Sequence, residues 1–171
     1  MSPAILLIAM TLHRPVGLVA SIYNSTPANP VLACSTVEWE SRYDWTAVHE
    51  NPDGSHDWRY WQINDKWHNP YAYDKKKHIA AGAKIMTDDL KRAHGDVWTA
   101  LHYWNHGKNY PPHVLAIYYK LKKALAAQEL AARFNVDITP SHDINRVPTQ
   151  LADWNILLFD NRKARKISTA A

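Results

Sequence analysis

Two carboxylates seventeen positions apart, Glu40 and Asp57, constrain this chain most, because of what surrounds them. From Pro30 to Ser41 apolar residues recur at three- and four-residue steps through Val31, Leu32, Cys34 and Val37, the spacing of one helix face. Asn29 followed by Pro30 supplies the start, since asparagine caps a helix and proline is tolerated where the first amide has no partner. Glu40 therefore falls at the helix end. Beyond it, residues 46–49 and 57–64 are rich in strand-forming types, and Asp53-Gly54 between them is a strong hairpin signal. A helix end and a hairpin then present two acids to one cleft, Glu40 in a drier setting beside Trp39 and Asp57 in a wetter one. Cleavage of a glycosidic bond requires that asymmetry of two carboxyl groups. Trp39, Trp45, Trp58, Trp61 and Trp67 lie in or beside the same segment, and sugar rings stack on such side chains.

The rest of the chain is mainly helical in pattern. Residues 3 to about 23 form an apolar helix or a pair of helical turns bent near Pro15, followed by a linker. From about Asp74 a helix continues through Ile79 and Met86 to about His94, where Gly95 ends it. Asp96 caps a further helix from Val97 to about Trp104. Residues 105–112 are turn formers and read as a loop, and 113 to about 134 as one long amphipathic helix. Residues 135–171 are less periodic, with Leu151–Phe159 expected to pack back onto the domain. The expected fold class is α+β, mainly helical. It divides into an apolar helical segment and linker (1–28), a catalytic domain (29–134) and a C-terminal extension (135–171).

A chain of 171 residues suits one domain with a real core. Its net charge of +4 favours an anionic partner. Lys75-Lys76-Lys77 and the basic run at 162–166 read as solvated faces, so no nucleic-acid partner is expected. The single Cys34 excludes an intrachain disulfide and a four-cysteine zinc site, and reads as a buried small hydrophobe. His102 and His106 stand four apart, but Tyr103 occupies the place where a zinc protease carries glutamate. No metal and no other cofactor is expected. There is no phosphate-binding or dinucleotide glycine loop and no nucleophile elbow. The apolar start, Pro3–Leu12, has no basic residue before it and is too short to span a bilayer, so it reads as a helix that caps the domain.

Glu40-Ser41, Tyr43, Ala47, Asn51, Asp53-Gly54-Ser55, Asp57, Gln62-Ile63-Asn64 and Trp67 together resemble, without a gap, the active-site segment of animal-type lysozymes. They are equally similar to the bacterial lytic transglycosylases associated with secretion systems. Ala81-Gly82-Ala83, followed by Ala100, Asn105 and Gly107, resembles motifs of that second group, and the disulfide-forming cysteines of animal lysozymes are missing. The resemblance covers about residues 29–125. It implies a lysozyme-like fold and cleavage of the β-1,4 bond between N-acetylmuramic acid and N-acetylglucosamine in peptidoglycan, with the transglycosylase type favoured.

The resemblance makes Glu40 the general acid and then the base. It makes Asp57 either a nucleophile or ion stabiliser, as in lysozyme, or a support for the hairpin, as in the transglycosylases. Ser41, Gln62, Asn64, Trp67, Trp104 and Asn105 are the implied substrate-binding residues. Trp61 and Trp98 read as core, and Glu38 as surface. Two positions depart from the pattern: Arg59 stands where the family carries glycine, and Trp104 where it carries tyrosine. The first implies an altered subsite that restricts the substrate. The implied partner is the peptidoglycan glycan strand, at the bacterial cell wall or periplasm, with no stable membrane span. Delivery by phage lysis machinery, a phage particle or secretion machinery stays open. The competing class is a non-catalytic peptidoglycan-binding structural domain.

Overall fold

Pro15 and the left-handed His13 (φ 53°) break the apolar start into two helices, α1 (Pro3–Leu12) and α2 (Val16–Ser25). They are bent 120° against each other in the computed structural model, which describes residues 2–69 and 73–134. Ile5, Ile8 and Leu12 of α1 and Val19 and Ile22 of α2 are buried in the same core as the later helices. The apolar segment thus packs onto the same core as residues 29–134. Among the described residues no single helix is long and apolar enough to cross a membrane.

Helix α3 (Pro30–Ser41) starts where Asn29 Oδ1 accepts from the Leu32 amide at 3.1 Å. Every residue from Val31 to Val37 is buried, so α3 runs through the middle of the helical core, packed by α2 on one side. Cys34 is enclosed there as expected, and burial pushes its thiol up to about 12. The helix ends in two consecutive left-handed residues, Arg42 and Tyr43 (φ 53° and 62°), and the Tyr43 hydroxyl is anchored on the Cys34 carbonyl at 3.2 Å. Glu38, expected as bystander surface, instead accepts both Nε and Nη2 of Arg14 at 2.8 and 2.7 Å. That fork ties the α1–α2 turn to α3.

The hairpin becomes three antiparallel strands, β1 (Val48–Glu50), β2 (His56–Trp58) and β3 (Ile63–Asn64). The single strand expected over 57–64 is interrupted because Arg59 and Gln62 both take left-handed backbone (φ 62° and 46°), closing a tight turn. In the register, Asp57 faces His49 on one side and Asn64 on the other. The β1–β2 turn forms for the expected reason: Gly54 takes φ 80°, and Asp53 Oδ1 accepts from the Ser55 amide and hydroxyl.

Helix α4 (Lys75–Arg92) is capped by Asp74, and beyond its C-terminal end the Gly95 amide reaches back to the Leu90 carbonyl at 2.8 Å. Lys75, Lys76 and Lys77 are exposed, a solvated face. Asp96 caps α5 (Val97–Trp104) through the Thr99 amide at 2.7 Å. Helix α6 (Tyr110–Arg133) begins three residues earlier than expected. Pro111 and Pro112, read as loop formers, occupy its first turn, where no amide partner is lost. It packs extensively along α3. Trp61 is fully buried as expected, but Trp98 is 50% exposed, because Ala100 and Leu101 take the buried face of α5. The expected packing of Leu151–Phe159 lies outside the described residues.

Candidate active site

Glu40 sits on the last turn of α3, and its carboxyl meets donors from two other helices. Trp104 Nε1, at the end of α5, lies 2.8 Å from Oε1; the Tyr110 hydroxyl, at the start of α6, lies 2.5 Å from the same oxygen. Among the described residues no donor reaches Oε2. The short α5–α6 connection places both partners. Asn105 Oδ1 accepts from the Gly107 amide at 2.9 Å, and the Tyr110 amide donates to the Gly107 carbonyl at 3.0 Å.

Loss of water dominates the electrostatics. It pushes the Glu40 carboxyl up to about 7 from an ordinary 4.5, against the two donors, and the negative charge of Asp57 adds a smaller push in the same direction. Glu40 is half-buried as a residue; the close packing around its carboxyl group is what removes the water. Burial, then the Glu40 charge, holds the Tyr110 hydroxyl well above its usual value, so it remains a donor. With both donors on Oε1 and none on Oε2 among the described residues, the carboxyl proton belongs on Oε2. A carboxyl of this kind can hand a proton to a leaving oxygen near neutral pH.

Asp57, in the middle of β2, accepts from Asn64 Nδ2 at 2.7 Å, and the same amide reaches Ser55 Oγ at 3.0 Å. Asp57 is therefore oriented by its cross-strand neighbour while its charge acts on Glu40. The expected substrate-binding residues divide into two groups. Ser41 is buried and donates to the Tyr60 carbonyl at 2.9 Å, tying the end of α3 to the turn after β2. Gln62 Nε2 is engaged by the Arg59 and Ala47 carbonyls at 2.8 and 3.2 Å. Trp67 is 73% exposed, with Lys66 Nζ 5.2 Å from its ring centre, and Asn105 is exposed at the α5–α6 connection. Trp104 does not lie open as a platform; its indole N–H is aimed at the acid.

Trp39, expected to dry Glu40, faces outward and stacks on His113 with ring centres 4.4 Å apart. The groups against the carboxyl are Trp104 and Tyr110. Tyr110 lies among turn-forming residues that read as a loop, so its pattern gives no sign of this role. The Pro-Pro pair directly after it is the helix-start signal that places it.

Gly82 acts on this site indirectly. A Cβ there would lie 2.2 Å from Trp61 Cγ, so the indole rests directly on the α4 backbone. Trp61 in turn leans on Trp104 at 5.5 Å, and Trp104 holds Glu40. Arg59 adopts the left-handed backbone that glycine accepts without strain. Its guanidinium lies 4.3 Å from the Trp45 ring centre and donates to the Tyr73 carbonyl at 2.7 Å, contacts that offset the strain.

His102 and His106 face each other edge-on at 5.6 Å on an exposed helix end. Among the described residues no three His, Cys, Asp or Glu side chains are placed to hold a metal ion. Comparison of the chain with protein-family models, curated proteins and solved structures returns no match.

Proposed function

We propose that this chain cleaves the β-1,4 bond between N-acetylmuramic acid and N-acetylglucosamine in peptidoglycan, as a lysozyme-like lytic transglycosylase with Glu40 as acid and base. The observation that carries this reading is the Glu40 carboxyl: held through Oε1 by Trp104 and Tyr110, with burial pushing it up to about 7 and no donor on Oε2 among the described residues. The Oε2 proton passes to the glycosidic oxygen as its bond to C1 breaks, and the bonding pair leaves with that oxygen. The substrate's own N-acetyl oxygen meets the positive charge at C1. The Glu40 carboxylate then takes the proton of the C6 hydroxyl as that oxygen bonds to C1, closing an anhydro ring and restoring the acid. Asp57, bound by Asn64, holds the hairpin beside the bond being cut.

One observation favours a second reading, hydrolysis. The Asp57 charge is felt at Glu40, as it would be for a second carboxylate on the same cleft; in this reading Asp57 stabilises a cation at C1 or traps it covalently, and water takes the place of the C6 hydroxyl. Mass spectrometry of fragments released from purified peptidoglycan separates the two. Anhydro ends identify the transglycosylase and reducing ends the hydrolase. Co-pelleting without any released fragment contradicts both and identifies a non-catalytic wall-binding domain. Action at the bacterial cell wall or periplasm belongs to the same proposal.

A further inference from the structure

Between the start of α5 and the middle of α6 lies a groove of about 440 Å³, lined by Trp98, Tyr118, Tyr119 and Lys122, that shares no residue with the Glu40 site. Gly95 borders it and also borders a second hollow of about 300 Å³ that contains Lys91 and His94. The two are linked again where Asn29 Nδ2 reaches the Tyr118 hydroxyl at 3.5 Å.

The chemistry of the lining is specific. Trp98 and Tyr119 are 50% and 63% exposed, and Tyr118 braces Tyr119 edge-to-face at 5.4 Å. Trp98 and Tyr119 line one groove, and exposed apolar surface gathered in a groove marks a binding surface where scattered residues do not. Lys91 and Lys122 supply positive charge. Among the described residues they outnumber the one acid in the lining, Asp96, whose carboxylate caps α5 through the Thr99 amide. Flat aromatic faces suit the apolar faces of pyranose rings, and the lysines suit carboxylates carried on them.

We infer that this groove is a second glycan site, taking a carboxylate-bearing amino-sugar strand of the polymer that Glu40 cuts; the ligand class rests on the function proposed above. A strand gripped here raises the local concentration of its own neighbouring bonds at Glu40. Nucleic acid fits less well, because two lysines neutralise too few phosphates for backbone-driven binding.

The test uses the full chain carrying Glu40→Gln, which binds without cutting, with and without Trp98→Ala and Tyr119→Ala. Each is pelleted with purified peptidoglycan sacculi. The double substitution is expected to weaken binding about tenfold. In the chain that keeps Glu40, it leaves cleavage of a short soluble oligosaccharide unchanged, since such a substrate reaches only the cleft. Lys122→Glu, at an exposed side chain that leaves the core untouched, also weakens pelleting. Unchanged sacculus binding in both variants overturns the inference, as does loss of oligonucleotide binding while sacculus binding persists. If the unsubstituted chain releases no fragments, the proposed cleavage fails, yet the pelleting comparison still decides the groove by itself.

Discussion

Replacing Glu40 with glutamine is expected to stabilise the protein at alkaline pH. Glutamine keeps the size of the side chain and an oxygen able to accept from Trp104 and Tyr110, and removes only the ionisation. Below about 4.5 the carboxyl is protonated in both folded and unfolded chains and has no linkage effect. Between 4.5 and about 7 the unfolded chain gives up its proton while the native state keeps it. The native state then binds more protons, so stability falls as pH rises. At about 1.4 kcal/mol per pH unit, the full cost above pH 7 is about 3 kcal/mol. His78 works in the opposite direction: burial, with a smaller contribution from the Arg59 charge, pulls its imidazole down to about 4. Stability associated with His78 is lost as pH falls from its ordinary 6.5 toward 4, so the two effects nearly cancel in the wild-type curve between about 4.5 and 6.5. The quantity to measure is therefore the difference between wild type and Glu40→Gln in urea unfolding free energy, at pH 4 and at pH 8. It is expected to be near zero at pH 4 and about 3 kcal/mol in favour of the variant at pH 8. A difference that does not change with pH would refute the dry, proton-holding carboxyl.

The remaining predictions concern the groups around that carboxyl. Tyr110→Phe removes a donor that favours the charged form, so the alkaline limb of the pH–activity profile should move to higher pH, measured as kcat/KM across pH 5–9. Gly82→Ala drives a methyl group into Trp61 and is expected to cost about 1–3 kcal/mol in urea unfolding, with activity lowered because Trp61 supports Trp104. Asp57→Asn keeps an acceptor for Asn64; activity within about tenfold of wild type marks Asp57 as a support for the hairpin, and a fall of about 10²-fold or more marks it as a participant at C1.

Local signals carried most of the fold. Asn29, Asp74 and Asp96 each accept from the amide three residues on, as their positions before helical runs imply. Gly54 and Gly95 end their elements with positive φ. What escaped reading depends on side-chain direction or on unusual backbone. The turn from Arg59 to Gln62 puts two long side chains at positive φ, which composition does not signal, so β2 and β3 read as one strand. The size of Trp98 suggests core, yet its place on α5 turns it outward. The approach of Trp104 and Tyr110 to Glu40 spans more than sixty residues of sequence and arises from the packing of α3 against α6, which no local pattern encodes. Arg14 and Glu38 are the same case: their pairing needs the α1–α2 turn folded against α3.

The most direct test of the account is the release of soluble fragments from purified peptidoglycan, followed against pH for wild type and for folded Glu40→Gln. Release by the wild type is expected to decline as pH rises through about 7, and the variant to be slower by about 10²–10⁴-fold. A folded Glu40→Gln variant that releases fragments at the wild-type rate would contradict it.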